Sequence, residues 1–460
     1  MIDLTLQEIQ QWIGANVEGE VKTAACPTDL STDSREVHGG EVFLALRGEA
    51  FDGHHFVETA FAAGACAAIV EQARLKDLNY QGPKPLLVVE DTLVAYGVIA
   101  AKYRSRFSIP VIAIVGSSGK TTTKEMVATI LATRYTLLKN IGNENNEIGI
   151  PKTLLRLRPE HEAVVLELGT RKPGDIAYLC AIAQPNIGVW LNVGSAHLEF
   201  FGSIREVAKA KGELLGCLED ESSLALINAD DCVIVKEALR TKGRLLGFSL
   251  ERECHYCGEG LILDQEGGGH FSLFNQTFHL QIPGRHNVYN ALAAVAVGDL
   301  MGIPLVQISQ ALNALEAVAM RTEILRKNGL CVINDSYNAN PEAMRAALEL
   351  LADMQAGQGR KVAVLGDMLE LGPGSAALHA QLGTWLYDYK IDWLFATGEM
   401  SRHLVTAAQK AGFPASRAQH FPDKAALARQ LIKTVRADDI VLVKASRGIA
   451  LEEIALQLIS

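Results

Sequence analysis

The stretch VIAIVGSSGKTTTKEM, residues 111–126, decides the fold. An apolar, β-branched run leads into Gly-Ser-Ser-Gly-Lys-Thr, and a helix-forming segment follows. In this order backbone N–H groups and the helix N-terminus converge on phosphate oxygens, the lysine meets the β and γ phosphates, and a threonine hydroxyl can ligate magnesium. The stretch therefore predicts a nucleoside triphosphate site, formed by Gly116, Ser117, Ser118, Gly119, Lys120, Thr121 and Thr122.

The spacing of this loop leaves an alternative open. GxxGKT is two residues shorter than the general GxxxxGK[ST] motif, because Ile114 stands where the first glycine belongs. An ordinary βα turn would also satisfy the shorter pattern. The strand and the helix on either side are what favour the nucleotide site.

Outward from the loop, short apolar runs alternate with helical segments, which is typical of parallel sheets covered by helices. The fold class is therefore α/β. Residues 250–285 are polar and glycine-rich with strand alternation, and predict a small antiparallel addition before a helix at 288–301. Further strands are predicted at 163–168, 186–193, 330–334, 361–365, 392–397 and 439–444.

The length of 460 residues predicts about three domains. We expect boundaries that give domains at 1–108, 109–316 and 317–460. KYRSRFSIP, residues 102–110, is the predicted linker between the first two. The first domain reads as a small α/β unit, with helices at 4–13 and 56–65 and strands at 42–46, 67–70 and 86–89.

Composition excludes several classes of protein. Lys plus Arg number 43 against 53 Asp plus Glu, and this net charge of −10 argues against a broad basic surface for nucleic acid. Eight cysteines are too sparse for a disulfide scaffold. The N-terminus lacks the basic start and apolar run of a secretion signal, and no apolar stretch approaches the roughly 20 residues of a membrane span. We expect a soluble cytoplasmic protein.

Two residues are candidate magnesium ligands. Glu167 ends the predicted strand 163–168 and His197 follows the strand 186–193, so both stand at strand ends of the kind that supply magnesium ligands in P-loop proteins. The alternatives are a solvated strand end and a surface histidine. Lys211, in EVAKAKGELL, reads from the residues alone as a solvated lysine on a helix. Cys254 and Cys257 form a single CxxC, which lacks the further ligands of a structural zinc site.

Two polar clusters are unusual for plain structure. PGRHNVYNALAA, residues 283–294, places Asn287 and Asn290 on one face at the start of a helix, where they could cap it or read a base edge. NDSYNANPEAM, residues 334–344, stands at the mouth of a βα unit, where open parallel sheets bind ligands. In this second cluster Asn340 is a predicted N-cap, followed by Pro341 at the first position of a helix 341–353.

Taken in order, these residues resemble the Mur ligases, ATP-dependent amide-forming enzymes of bacterial cell-wall precursor synthesis. The resemblance covers the whole chain, and the short P-loop is the form that this family uses. Within the family, the chain is most similar to the member that joins D-alanyl-D-alanine to UDP-N-acetylmuramoyl-tripeptide. The motifs that favour this member over its siblings are NDSYNANP and GDMLELG. The motifs are DSREVHGGEVFLALRGEAFDGHHF (33–56), GSSGKTTTKE (116–125), NNEIGIPKTLL (145–155), LELGT (166–170), NVGSAHLEFFGS (192–203), AKGELL (210–215), PGRHNVYNALAA (283–294), RTEIL (321–325), NDSYNANPEAM (334–344), VLGDMLELG (364–372) and VKASRG (443–448).

The resemblance implies three domains: one that binds the UDP-sugar peptide, a central ATPase, and a Rossmann-like C-terminal domain that binds the dipeptide and closes over the site. It implies that Lys120 and its loop hold ATP phosphates, that Thr121 and Glu167 bind one magnesium ion, and that His197 binds a second. Lys211 matches a family lysine that is carbamylated and then binds magnesium, which reverses its interpretation as a solvated residue.

The same resemblance gives roles to the polar clusters. Asn287 and Asn290 would contact adenine, with Arg321 and Asp335 on the ribose and phosphates. The dipeptide would lie near Tyr337, Asn338 and Asn340. Ser34, Arg35 and the stretch from Arg47 to His54 match the uridine-nucleotide side. VKASRG departs from the commoner KGSR form at Ala445, so it implies no role for that turn.

The implied reaction is ATP-dependent ligation through an acyl phosphate, by a monomer that binds neither nucleic acid nor membrane. The nearest alternative is a sibling ligase, such as the one that adds the third residue, or folylpolyglutamate synthetase. A regulatory P-loop switch is an alternative of another class. Guanine switches carry an NKxD motif, and this chain contains no Asn-Lys dipeptide.

Overall fold

The computed structural model describes residues 3–19, 27–48, 51–78, 80 and 82–460, and helices alternate with strands through most of them. The chain divides into two compact units. Unit 1 comprises Met1–Val111, Leu138–Gly169 and Ala177–Pro185, and unit 2 comprises Ile112–Leu137, Thr170–Ile176 and Asn186–Ser460. The predicted boundaries at 108 and 316 stay predictions. Among the described helices, none is long and apolar enough to cross a bilayer.

The N-terminal part of unit 1 is a small α/β sheet with the strand order β1-β5-β4-β3-β2. Its first strand is antiparallel to β5 and the other pairings are parallel. The elements are α1 (Leu6–Ile13), β1 (Asn16–Glu18), β2 (Leu30–Ser31), β3 (Val42–Leu44), α2 (Val57–Ala62), β4 (Ala67–Glu71), α3 (Leu75–Leu78), β5 (Leu86–Val89) and α4 (Thr92–Arg104).

Local sequence explains where α1 begins and ends. The Thr5 side chain accepts from the Glu8 backbone N–H, and the Glu8 carboxylate accepts from Thr5, which is a capping box. Gly14 ends the helix in the left-handed conformation that glycine adopts most easily. The helix predicted at 4–13 is confirmed.

The predicted linker 102–110 is wrong at its start. Lys102–Arg104 form the last turn of α4, and Arg104 is buried. Its guanidinium donates to the carbonyl oxygens of Ala183 and Phe107, at 3.1 and 2.6 Å. An arginine reads as a solvated residue in sequence, but its five N–H groups allow burial wherever carbonyl oxygens converge.

The middle of the chain contains the helices and strands on both sides of the phosphate loop. The elements are β6 (Val111–Val115), α5 (Lys120–Leu131), β7 (Leu137–Lys139), α6 (Gly149–Leu154), β8 (Ala163–Glu167), α7 (Asp175–Ala183), β9 (Ile187–Trp190), α8 (Leu198–Phe201), α9 (Ile204–Gly216), β10 (Leu224–Asn228), α10 (Cys232–Glu237), β11 (Arg244–Ser249), β12 (Tyr256–Cys257), β13 (Glu259–Leu263), β14 (Gly269–Leu273) and β15 (Gln276–Leu280).

In unit 2, β6 lies next to β9 in a parallel sheet that continues through β10 and β11 to β12. Every residue of β6 is buried, as expected for a strand covered on both faces. The sequence missed β10 and β11. The predicted antiparallel addition is confirmed as a sheet with the order β13-β14-β15.

The C-terminal part of unit 2 is a second α/β sheet with the order β16-β17-β21-β18-β19-β20. Residues from its two faces form separate apolar cores, with Ile333 and Leu365 in one and Val332 and Val364 in the other. The elements are α11 (Arg285–Leu300), α12 (Leu305–Asn313), β16 (Glu323–Lys327), β17 (Leu330–Asn334), α13 (Pro341–Asp353), β18 (Lys361–Gly366), α14 (Ser375–Asp388), β19 (Trp393–Thr397), α15 (Ser401–Lys410), β20 (Ala418–Phe421), α16 (Lys424–Thr434), β21 (Ile440–Lys444) and α17 (Glu452–Leu458).

The four strands predicted in this region are confirmed within one residue. The sequence missed β16 and β20, which lie at the two edges of the sheet. Both are partly exposed and carry polar residues, so neither forms the apolar run by which a buried strand is found. The predicted fold class, α/β with parallel sheets, is confirmed.

Candidate active site

The phosphate loop joins β6 to α5 through Gly116–Gly119. Gly119 has a φ of +78°, and a Cβ there would lie 2.4 Å from Oδ1 of Asn290. There are therefore two reasons for a glycine at position 119: the left-handed backbone conformation and the close approach of the Asn290 side chain. The helix α5 begins at Lys120, because the loop leads directly into its first turn. Lys120 Nζ donates to the Gly116 carbonyl oxygen at 2.9 Å.

Asn192 completes this loop and was not predicted to do so. Its Oδ1 accepts from the backbone N–H groups of Ser117 and Ser118, at 3.0 and 2.9 Å, and its Nδ2 donates to the Ser118 carbonyl at 3.1 Å. Two loop N–H groups thus converge on one oxygen atom, as they would on an anion. The signal was available, because Asn192 is the first residue of the NVGSAHLEFFGS motif.

Asn287 and Asn290 are both buried in the first turns of α11. Asn290 Nδ2 donates to Oδ1 of Asn287 at 2.9 Å, and Asn287 Nδ2 donates to the Pro283 carbonyl at 2.7 Å. This chain of amides holds Asn290 against Gly119. The structure therefore brings this predicted pair to the phosphate loop.

Lys211 is 3% exposed, on the buried face of α9. Its interpretation from the residues alone as a solvated lysine is wrong. Burial is the main cause that lowers the pKa of its ammonium far below the ordinary value, and the positive charge of Lys120 lowers it further. A neutral, nucleophilic amine is thus favoured at this position.

His197 begins α8 with a φ of 59°. Its Nδ1 lies 2.5 Å from Oε2 of Glu370. Burial lowers the pKa of the imidazole, Lys120 and Lys211 also lower it, and Glu370 opposes them. A carboxylate on Nδ1 fixes the ring and leaves Nε2 for a metal ion, which is the usual arrangement of histidine ligands. The His197 side chain is 25% exposed, and its role as a ligand stays a prediction. Its contact with Glu370 was not predicted, although GDMLELG contains that residue.

Glu167 lies in unit 1, and its place at a strand end is confirmed. It is 2% exposed, so the alternative of a solvated strand end is wrong. Asn145 Nδ2 donates to its Oε1 at 2.7 Å, and Asn140 bonds both its backbone N–H and its carbonyl at 3.1 Å. A Cβ on Gly169 would lie 2.7 Å from Asn145 Oδ1, which explains the glycine of LELGT.

Asp335 and the buried Lys444 form an ion pair, with Nζ 2.6 Å from Oδ2. Lys444 Nζ also donates to the Asn338 carbonyl at 3.0 Å, and Asp335 Oδ1 accepts from the Thr322 N–H at 3.0 Å. The resemblance assigns Arg321 to the same ligand as Asp335. In the structure the guanidinium carbon of Arg321 lies over the ring of Tyr337, 3.9 Å from its centroid. Lys444 belongs to VKASRG, a turn for which the resemblance implied no role.

Asn340 and Glu342 begin α13 and also reach the residues around the phosphate loop. Asn340 Oδ1 accepts from the Ala343 N–H at 2.8 Å, which confirms the predicted N-cap, and its Nδ2 lies 3.5 Å from the Ser117 carbonyl oxygen. Glu342 accepts from the backbone N–H and hydroxyl of Ser195, at 2.9 and 2.7 Å. The predicted dipeptide cluster is thus next to the predicted ATP cluster.

The predicted uridine-nucleotide residues lie in unit 1. Arg35 is paired with Asp33 at 2.6 Å, and Arg47 lies 3.8 Å from Glu71. The hydrogen bonds from Arg35 lower the pKa of Asp33 to about 2. Ser34 is the first residue of a short 3-10 helix. Within the stretch from Arg47 to His54, Glu49 and Ala50 lie outside the described residues.

His54 of that stretch has a structural role. Its Nδ1 lies 2.6 Å from Asp52 Oδ1, and its Nε2 accepts from the Glu71 N–H at 2.9 Å. Both nitrogens are therefore engaged, and the side chain is 2% exposed.

Three family models match the chain: "Mur ligase family, catalytic domain" at 28–130, "Mur ligase middle domain" at 114–298 and "Mur ligase, glutamate ligase domain" at 320–447. A Bacillus subtilis protein named UDP-N-acetylmuramoyl-tripeptide–D-alanyl-D-alanine ligase is 34% identical over 462 residues, which cover 100% of this chain and 99% of that protein.

Solved structures of similar proteins carry the MurF name as well. A MurF structure from Acinetobacter baumannii has a TM-score of 0.90 at 32% identity, and the match covers 99% of this chain and 98% of that one. MurF from Thermotoga maritima, solved in complex with ADP, has a TM-score of 0.83 at 31% identity, covering 94% of this chain and 96% of that one.

Proposed function

The chain belongs to the Mur ligase family, and we propose that it joins D-alanyl-D-alanine to UDP-N-acetylmuramoyl-tripeptide, with ATP converted to ADP and phosphate. Similarity to ligases of this name along the whole chain is the observation that carries the proposal. The reaction belongs to peptidoglycan precursor synthesis in the cytoplasm, and we propose that a monomer performs it.

ATP phosphates would bind at Gly116–Thr122. Two N–H groups of the loop already meet on a single oxygen atom, that of Asn192, and α5 begins at the adjoining Lys120. A phosphate oxygen is a stronger acceptor for such N–H groups than an amide oxygen, because it is charged. The relative that was solved with ADP supports nucleotide use. Asn287 and Asn290 would contact adenine, which their burial next to Gly119 supports.

Two magnesium ions would be held by Thr121, Glu167, His197 and a carbamate on Lys211. The donor set fits: a hydroxyl, a carboxylate held by Asn145, an imidazole held by Glu370, and a lysine whose burial favours the neutral amine. A neutral amine can add CO2 and lose a proton to become a carbamate, which supplies the oxygen ligands that magnesium prefers. When bound there, magnesium would offset the charges of the phosphates and the substrate carboxylate.

The first step would be attack of the tripeptide carboxylate on the γ-phosphorus of ATP, which forms the acyl phosphate and releases ADP. The ammonium of Lys120 would move from the Gly116 carbonyl to the β and γ phosphates and reduce the repulsion between the two anions. The amine of D-alanyl-D-alanine would then attack the activated carbonyl carbon. The amine loses a proton, the C–O bond to phosphate breaks, and an amide forms.

The acyl phosphate must be kept from water. Glu342 on Ser195, Glu370 on His197 and Asn340 near Ser117 are contacts that would exclude water when the C-terminal domain closes. Tyr337, Asn338 and Asn340 would line the dipeptide side, and Arg321 and Asp335 would reach the ribose and phosphates. Ser34, Arg35 and Arg47 would contribute to the uridine-nucleotide side.

An amine-dependent assay tests the function. Phosphate release is measured with ATP, magnesium and UDP-N-acetylmuramoyl-tripeptide, and each candidate amine is added in turn. We expect release to depend on D-alanyl-D-alanine and not on single amino acids. Release that responds to an amino acid instead would identify a sibling ligase, and release without any amine would favour a nucleotide switch.

A further inference from the structure

The sheet β13-β14-β15 carries a cluster of side chains that the ligase reaction does not use. His270 on β14 and His279 on β15 are directly paired across the two strands. Alternation along the strands turns Phe271 and Phe278 inward, where their rings stack at 5.2 Å. The two histidines therefore share the outer face, with their rings stacked at 4.2 Å.

Asp264, in the turn after β13, faces both histidines. Its Oδ2 lies 3.6 Å from Nε2 of His270 and 3.7 Å from Nε2 of His279. Its other oxygen, Oδ1, accepts from the backbone N–H groups of Gly268 and Glu266, at 2.8 and 2.9 Å. The turn thus fixes one oxygen and leaves the other for the two imidazoles.

The two distances from Asp264 Oδ2 to the histidine Nε2 atoms match the spacing of ligand atoms around one metal ion. Both are too long for hydrogen bonds, which end near 3.2 Å. Zinc bonds of about 2.0–2.1 Å in a tetrahedron put neighbouring ligand atoms about 3.4 Å apart. The three ligand atoms lie within 4.8 Å of one another, so small side-chain rotations bring them to one ion.

An outer hydrogen bond orients one of the two rings. Oδ1 of Asn313, at the end of α12, lies 2.9 Å from Nδ1 of His279. An amide oxygen only accepts, so Nδ1 donates to it and Nε2 is the ring nitrogen that faces Asp264. An outer hydrogen bond of this kind accompanies most histidine ligands of metals.

We propose that Asp264, His270 and His279 bind one zinc ion, with water at the fourth position. Imidazole nitrogen and carboxylate oxygen suit zinc, and partial exposure of all three side chains gives the ion access from solvent. The turn that carries Asp264 also contacts the C-terminal sheet region, through Glu266 to Arg326 at 2.9 Å and through Gln265 to Gln355 at 3.3 Å. Zinc therefore stabilises this turn in the position where it meets that region.

Isothermal titration of the full chain with zinc chloride, with magnesium in excess, tests the site. We expect one zinc ion to bind, and each of His270→Gln, His279→Gln and Asp264→Asn to weaken its affinity at least tenfold. His403→Gln is the matched control, because His403 is exposed on α15, away from this cluster. The affinity of this control variant for zinc should equal that of the unmodified chain. Zinc should also raise the melting temperature of the control and not that of the His270→Gln/His279→Gln variant.

Two results would overturn the proposal. One is wild-type zinc affinity in the double variant. The other is an intense thiolate-to-metal absorption band when cobalt replaces zinc, because it would put the ion on Cys254 and Cys257. Amine-dependent phosphate release should be unchanged in the double variant, so the zinc site and the ligase activity are tested separately.

Discussion

Oε2 of Glu370 lies 2.5 Å from Nδ1 of His197, although 173 positions separate the two residues in the chain. Glu370 follows a strand of the C-terminal sheet, and His197 follows a strand of the sheet that carries the phosphate loop. A candidate metal ligand therefore depends for its orientation on a carboxylate from a distant part of the sequence.

Removal of that carboxylate should weaken magnesium activation. In Glu370→Ala the imidazole loses its orienting partner, and we expect the half-saturating magnesium concentration in the phosphate-release assay to rise about 10- to 100-fold. Glu370→Gln keeps a hydrogen-bond acceptor and should recover part of the loss. If Glu370→Ala and the unmodified chain have the same magnesium dependence, Glu370 does not position His197 for a metal ion.

Lys211→Ala should lower turnover by about 100-fold, because the carbamate and its magnesium contacts are lost. Short carboxylates such as formate or acetate should restore part of the activity, since they can replace the missing oxygen ligands. Lys209→Ala is the matched control. Lys209 is on the same helix but is partly exposed and paired with Glu206 at 2.6 Å, so its removal should change little. Full activity of Lys211→Ala would exclude the carbamate.

Lys120→Ala should abolish turnover, with a loss of about 10³-fold in kcat, because Lys120 carries the only positive charge among residues 116–122 and would offset the charge that develops on the transferred phosphate. Phosphate release measures the effect. Circular dichroism should show an unchanged fold. Substantial turnover of the folded variant would contradict the proposed role.

Asn192→Asp should raise the KM for ATP about tenfold, which corresponds to about 1.4 kcal/mol. The carboxylate keeps the acceptor for the Ser117 and Ser118 N–H groups but places a negative charge where the phosphates would bind, and it loses the bond to the Ser118 carbonyl. Steady-state kinetics at varied ATP measures this. The KM for ATP should rise, and the KM for D-alanyl-D-alanine should stay unchanged. Equal increases in both KM values would contradict a role of Asn192 at the phosphates.

Asp439→Asn should lower the free energy of unfolding by about 2 kcal/mol at pH 7. Burial opposes ionisation of Asp439, but Arg360, at 2.6 Å, and backbone N–H groups outweigh it and lower the pKa of the carboxyl. A lowered folded-state pKa gives stability that is present above the unfolded-state pKa and is lost as the pH falls through the folded-state value. Urea unfolding should therefore show the difference between variant and parent shrinking below about pH 4. A difference that does not change with pH would contradict this.

Features that depend on residues close together in the chain could be predicted from the sequence. The phosphate loop, the N-cap at Asn340 and the buried strands could be found because each depends on neighbours within a few positions. Lys211 also had a local signal. It lies four residues after Val207 and three before Leu214, on the apolar stripe of α9, so helical periodicity alone predicts its burial.

Other parts of the site had no local signal. The partner of Asp335 is Lys444, 109 positions away, and the partner of Ser195 is Glu342, 147 positions away. Side-chain pairs at such separations follow from sheet order, which a single sequence does not specify. The edge strands β16 and β20 were missed for a different reason, because partial exposure allows polar residues there.

The position of β21 in its sheet has a consequence for how the protein is made. Residues 440–444 insert between β17 and β18, which are more than 70 residues earlier in the chain. During synthesis on the ribosome these two earlier strands emerge with one edge each unpaired, and such edges readily join other chains. Chaperone dependence and aggregation of nascent chains should therefore be concentrated in the interval before Ile440 leaves the exit tunnel.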